Sequence, residues 1–218
     1  MRSELVRQQT TAEARDSESR RQFASCLDRS LCVVVCCVVL CALPSVAQLA
    51  AKAGVNVGCV RNVVVWGNHS ETQYPDITFA TITKDGQTVP ASSLVDQAWA
   101  QGEYIQLVQS RGAAIIDAMK KSSAASAANA AIEHVRNWML GTAPGQWVSM
   151  AVPSNGEYGV PAGLVFSFPV TCSNGEYTIV RGLENRISAF GAGKMEASWK
   201  QLEQENQGWR EEGAASSN

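Results

Sequence analysis

The sequence predicts an α+β domain in which antiparallel strands pack on long helices, and three features of it carry that expectation. β-Branched apolar runs bounded by glycine, such as Asn62–Trp66 (NVVVW), have the length and composition of buried strands. The dipeptides Asp85-Gly86 and Asn174-Gly175 stand between strand-like segments and favour the tight turns that close hairpins. Apolar residues recur at helical spacing over 98–140 and again over 187–212.

In chain order, Ala47–Ala53 is alanine-rich and stops at Gly54, as the last turns of a helix do. The strand Asn62–Trp66 follows, and its end delivers Gly67-Asn68-His69-Ser70 to a loop. Residues 76–83 and 87–90 read as a surface hairpin about Asp85-Gly86. Ala98–Lys121 reads as a helix interrupted near Arg111-Gly112, on the spacing of Trp99, Tyr104, Leu107, Val108, Ile115, Ile116 and Met119. Ser122–Leu140 is a second helix whose expected apolar face is Ala128, Ala131, Ile132, Val135, Trp138 and Met139, and Gly141 ends it. Gln146–Val152, Val165–Cys172 and Tyr177–Val180 are three further strands. The final helix, about Ile187–Glu212, carries a seam of Met195, Trp199, Leu202 and Trp209, with Gly191-Ala192-Gly193-Lys194 read as a loop leading into it.

With 45% hydrophobic and 17% charged residues, the chain has the profile of a packed globular protein. Eighteen basic residues against 20 acidic ones give a net charge of −2, so no general attraction to nucleic acid or to an anionic membrane is expected. Cys26, Cys32, Cys36, Cys37 and Cys41 crowd into one stretch, leaving only Cys59 and Cys172 elsewhere, which is no disulfide framework. The clustered thiols have no histidine nearby and none of the spacing of a zinc knuckle, so they read as apolar packing.

We divide the chain into a leader with a short apolar segment, 1–46, and a globular domain, 47–218. Residues 1–30 mix Arg, Glu, Gln and Ser and have the composition of a solvated leader. Leu31–Leu43 (LCVVVCCVVLCAL) is uncharged but shorter than the roughly 20 residues that span a bilayer, so no membrane span is expected. Two readings of it stay open. Arg20, Arg21 and Arg29 before it and Ser45-Val46-Ala47 after it suit a signal peptide and a secretory route. The other reading is an error at a gene-model junction. Asn68-His69-Ser70 is a glycosylation sequon, and a glycan there would sit beside a candidate catalytic residue, which argues against secretion.

Val64-Val65-Trp66-Gly67-Asn68-His69-Ser70-Glu71-Thr72-Gln73-Tyr74-Pro75-Asp76, then Gln109-Ser110-Arg111-Gly112-Ala113-Ala114-Ile115-Ile116, then Ser122-Ser123-Ala124-Ala125-Ser126-Ala127-Ala128 stand in this order. They resemble the C-terminal domain of cytosolic-type malate dehydrogenases, in the lactate/malate dehydrogenase family. Val148-Ser149-Met150, Tyr158-Gly159-Val160-Pro161 and Phe166-Ser167-Phe168-Pro169-Val170 extend the resemblance over about 47–205. It implies that family's α+β C-terminal fold, with the N-terminal Rossmann domain and its Gly-x-Gly-x-x-Gly turn absent from these residues. Gly191-Ala192-Gly193-Lys194, the nearest glycine cluster, lacks the third glycine.

The resemblance also implies the chemistry: interconversion of malate and oxaloacetate with NAD, with His69 as proton donor and acceptor. Histidine suits that task because its ordinary pKa of ~6.5 lets one side chain take and return a proton near neutrality. An aspartate would orient the histidine, and Asp28 in Cys26-Leu27-Asp28 is the candidate. Three residues later, where the family keeps a carboxylate-clamping arginine, this chain has Leu31. Asn68 and Ser122 are expected on the substrate side, Ser122 at a helix start close to the nicotinamide as well. His134, beside Glu133 and Arg136, is expected to be a solvated surface residue. The family further implies a homodimer and a cytoplasmic location. Without a nucleotide-binding half, little activity is expected of the chain alone, and the alternative is a non-catalytic interaction or dimerisation domain.

Overall fold

The computed structural model describes residues 42–120 and 124–215; Asp28, Ser122 and the apolar run 31–41 lie outside the described residues. Among the described residues, eight strands form three antiparallel sheets. The first orders β1 (Val60–Arg61), β4 (Thr81–Lys84) and β5 (Gln87–Pro90); the second pairs β2 (Val64–Trp66) with β3 (Tyr74–Asp76); the third orders β6 (Val148–Pro153), β7 (Val165–Ser173) and β8 (Glu176–Ile179). The expected α+β class with antiparallel pairing is thus what the chain adopts. Both hairpin turns lie where the sequence puts them. Asp85 and Gly86, and again Asn174 and Gly175, take positive φ as consecutive pairs, the backbone that matches the right-handed twist of the flanking strands.

The segment read as one strand over 76–83 divides. Asp76 ends β3, its Oδ1 accepts from the Thr78 N–H at 2.8 Å, and the Ala80 N–H closes a turn onto the Ile77 carbonyl. The chain therefore turns at 77–80 before it enters β4.

The helices are α1 (42–53), α2 (Gln97–Gln101), α3 (Glu103–Gln109), α4 (Arg111–Met119), α5 (Ala124–Leu140) and α6 (Ala189–Ala215). α1 ends as expected at Gly54, whose φ of +69° lets the Val55 N–H reach back to the Ala50 carbonyl. The break expected near Arg111-Gly112 falls at Ser110, and a second, unforeseen break at Gly102 has φ −118° and ψ −96°. Gly191 and Gly193 are not in a loop: they lie in the first turns of α6, where the Ser188 hydroxyl caps the Gly191 N–H at 3.1 Å. A side chain at 191 would meet Tyr74 and Ile187 within 3.4 Å, so glycine there lets the helix approach β3.

Two cores hold the elements. One joins β2, β3, β6, β7, α5 and α6 around Trp66, Tyr74, Trp138, Met150, Phe166 and Phe168, with Met195 buried and Trp199 and Leu202 packed on its edge. The other sets Leu49 and Ala50 of α1 against Val60, Ile82, Trp99, Tyr104 and Val108.

α5 departs from its expected orientation. Ile132, Val135 and Met139 are 64%, 43% and 54% exposed, while Ala130, His134 and Trp138 form the buried row. Trp138 sets that orientation, because its Nε1–H donates to the Gly175 carbonyl and its ring meets Tyr177 edge-on. The surface role expected of His134 is therefore corrected. It sits one turn before Trp138 on the inner row, only 4% exposed, and packs its ring edge-on against that tryptophan at 5.6 Å.

Candidate active site

β2 is buried along its whole length and ends at Trp66, whose indole N–H donates to the buried Asp76 carboxylate at 3.1 Å. Gly67 then turns the chain with φ +100°. Its carbonyl accepts from the Ser167 N–H of β7 at 2.9 Å, and the Ser167 hydroxyl donates to the Val65 carbonyl. The base of the loop is therefore bonded to the central strand of the third sheet.

From that base Asn68 points inward and His69 outward. Asn68 is 6% exposed, and its Oδ1 accepts from the hydroxyls of Ser70, Thr72 and Ser198 at 2.8–3.0 Å. A glycan on Asn68 is incompatible with this packing. The loop closes on itself through the Gln73 N–H and the Ser70 carbonyl, and Gln109 of α3 donates to the Gln73 carbonyl at 2.8 Å. His69 stands at the surface between two fixed neighbours. Enough protein surrounds the ring that desolvation lowers its pKa below the usual histidine value, which favours the neutral imidazole that can accept a proton.

Of the expected site residues the structure describes His69 and Asn68, adjacent in the chain and opposite in direction. Sequence reasoning missed Ser198 and Gln201 of α6, which bond this loop from 130 residues away; nothing local in the sequence signals that contact.

His134 is remote in role from this loop. It lines a cleft of about 470 Å³ between α1, β1, α5 and β6. Neither ring nitrogen has a hydrogen-bond partner, and burial lowers its pKa to about 4.

Among the described residues no group of three or more His, Cys, Asp or Glu is arranged to hold a metal ion. The described strands pair only antiparallel, and Gly191 and Gly193 lie within α6, Gly191 packed against Tyr74 and Ile187. The residues described do not fit a dinucleotide-binding turn.

The histidine thus stands on a loop at the end of a buried strand, inside an α+β domain of antiparallel sheets and helices. The pattern of the lactate/malate dehydrogenase α/β C-terminal domain matches residues 44–212, and the chain belongs to that family. It is 52% identical over 162 residues to the cytoplasmic malate dehydrogenase of Caenorhabditis elegans, a match that covers 74% of this chain and 48% of that protein. The crystal structure of malate dehydrogenase from Naegleria fowleri superposes with a TM-score of 0.70 at 45% identity, over 78% of this chain and 50% of that one. The lactate dehydrogenase of Trichomonas vaginalis, solved in complex with NADH and oxamate, superposes with a TM-score of 0.72 at 33% identity, over 78% and 51%. The chain thus spans about half the length of the relatives it matches.

Proposed function

We propose that this chain carries the proton-handling half of a malate dehydrogenase, with His69 giving a proton to oxaloacetate and taking one from malate. The observation that carries this reading is a surface-presented imidazole on a loop fixed at both of its neighbours. Proton transfer by a positioned histidine is worth roughly 10²–10⁴ in rate, and it needs the ring held where the substrate oxygen arrives. Malate oxidation uses the neutral ring and oxaloacetate reduction the protonated one.

NAD, the cofactor that the family implies, would supply the hydride chemistry. The described residues offer no principal site for it, so their part is to bind substrate and move the proton. In this reading 47–218 is the working domain and 1–46 a separate leader. Asp28 orients the imidazole, and Ser122, with the amide of Asn68, lies on the substrate side. The location is cytoplasmic, supported by relatives named as cytoplasmic enzymes. A homodimer, or an association domain without turnover, is a second reading, favoured by the exposed apolar row Ile132, Val135 and Met139 on α5.

The chain contains two histidines, so its imidazole NMR spectrum holds one signal set from His69 and one from His134 as an internal control. Titrating oxaloacetate into the full chain is expected to move the His69 signals and leave those of His134 in place. Equal movement of both, or of neither, contradicts the reading.

A further inference from the structure

We propose that Ser198 and Gln201 of α6 are positioning residues for His69: the last helix holds the loop that presents the imidazole. The function assigned to His69 is the one proposed above; the mechanical claim rests on hydrogen bonds alone.

Ser198 is fully buried and uses one hydroxyl twice. Its oxygen accepts from the Asn68 backbone N–H at 3.1 Å, and its proton goes to the Asn68 Oδ1 at 3.0 Å. One side chain of α6 thereby fixes both the main chain and the side chain of the residue before His69. Gln201, one turn further along α6, secures the other side. Its Oε1 accepts from the Ser70 hydroxyl at 2.9 Å and the Thr72 hydroxyl at 2.7 Å.

Proton count limits these bonds: with the Ser198 proton on Asn68, the two protons of Ser70 and Thr72 are shared between Asn68 and Gln201. Ser70, Thr72 and Ser198 each have one hydroxyl proton to give, and the loop offers two carbonyl-type acceptors, Asn68 Oδ1 and Gln201 Oε1. Gln201 can serve as an acceptor only with its oxygen toward the loop. Glu205, one turn on, secures that orientation by accepting from Gln201 Nε2 at 2.9 Å. Residues 68, 70 and 72 are therefore anchored to one helix face while 69 projects outward. Gly67 is part of the same device: a Cβ there would lie 2.2 Å from Ser198 Oγ, so only glycine lets the loop seat against the helix.

The test uses the full chain and the variants Gln201→Leu and Ser198→Ala. Gln201 is partly exposed on an outer turn, so its variant keeps the question answerable even if Ser198→Ala does not fold. Amide exchange at 67–72 is expected to rise about tenfold or more in each folded variant, with exchange in β6 and β7 unchanged. The His69 titration midpoint is expected to move up toward the ordinary histidine value, as a loosened ring gains solvent, while that of His134 stays in place. A general loss of stability would move both histidines and all strands together. Unaltered loop exchange and an unaltered His69 midpoint in Gln201→Leu overturn the proposal. Adding oxaloacetate to the wild-type chain separates the two claims. If the loop loosens in the variants but oxaloacetate never moves His69, positioning stands and the dehydrogenase reading fails.

Discussion

Two histidines in one chain have opposite fates, and local packing decides each. His69 follows a buried strand that ends in a glycine turn, so the chain must emerge there, and the motif around it made the residue legible from sequence. His134 was misread because Glu133 and Arg136 are its neighbours in sequence but not on its helix face; Ala130 and Trp138, four residues to either side, are buried with it. An imidazole buried without a partner favours its neutral form. Its folded pKa of about 4 lies below the unfolded value of ~6.5, so the unfolded chain binds the extra proton between these values. The neutral ring's contribution is complete above about pH 6.5 and is lost as pH falls toward 4, by up to about 3 kcal/mol in all. Denaturant unfolding of wild type and His134→Leu should therefore diverge over that window, the variant losing less stability on acidification; parallel curves would mean that the ring is solvated or paired. At Gly67 the close approach to Ser198 makes Gly67→Ala cost about 3 kcal/mol. In a double-mutant cycle with Ser198→Gly, which removes the atoms in the way, at least about 1 kcal/mol of coupling is expected.

At the scale of elements, the turns and the seam of α6 were legible and the face of α5 was not. Asp-Gly and Asn-Gly encode their turns in two adjacent residues, which is why both hairpins fall where the sequence puts them. The orientation of α5 depends on long-range contacts of Trp138, its bond to the β7–β8 turn and its ring against Tyr177, which periodicity cannot see. The apolar row this leaves outward, Ile132, Val135 and Met139, is the most direct support for association. Ile132→Lys with Met139→Lys should shift sedimentation toward the monomer while unfolding free energy stays within about 0.5 kcal/mol of wild type. Association that is unchanged by two new charges would place the contact elsewhere.

On the scale of the molecule, the sequence disclosed the fold class and the family because motifs spread over more than 100 residues keep their order in one domain. It did not disclose how that domain secures its own site. The loop of His69 takes its shape from β7 on one side, where Ser167 bonds Gly67, and from α6 on the other, where Ser198 bonds Asn68, both contacts distant in the chain. The chain spans about half of the relatives it matches, and the proton-transfer half of the reaction is what we propose that it carries.

The most direct measurement of that claim is oxaloacetate-dependent NADH oxidation by the full chain at high protein concentration, beside His69→Ala. Slow turnover that falls at least about 100-fold in the variant is the expected result. Turnover that survives the substitution undiminished would contradict the assignment of His69.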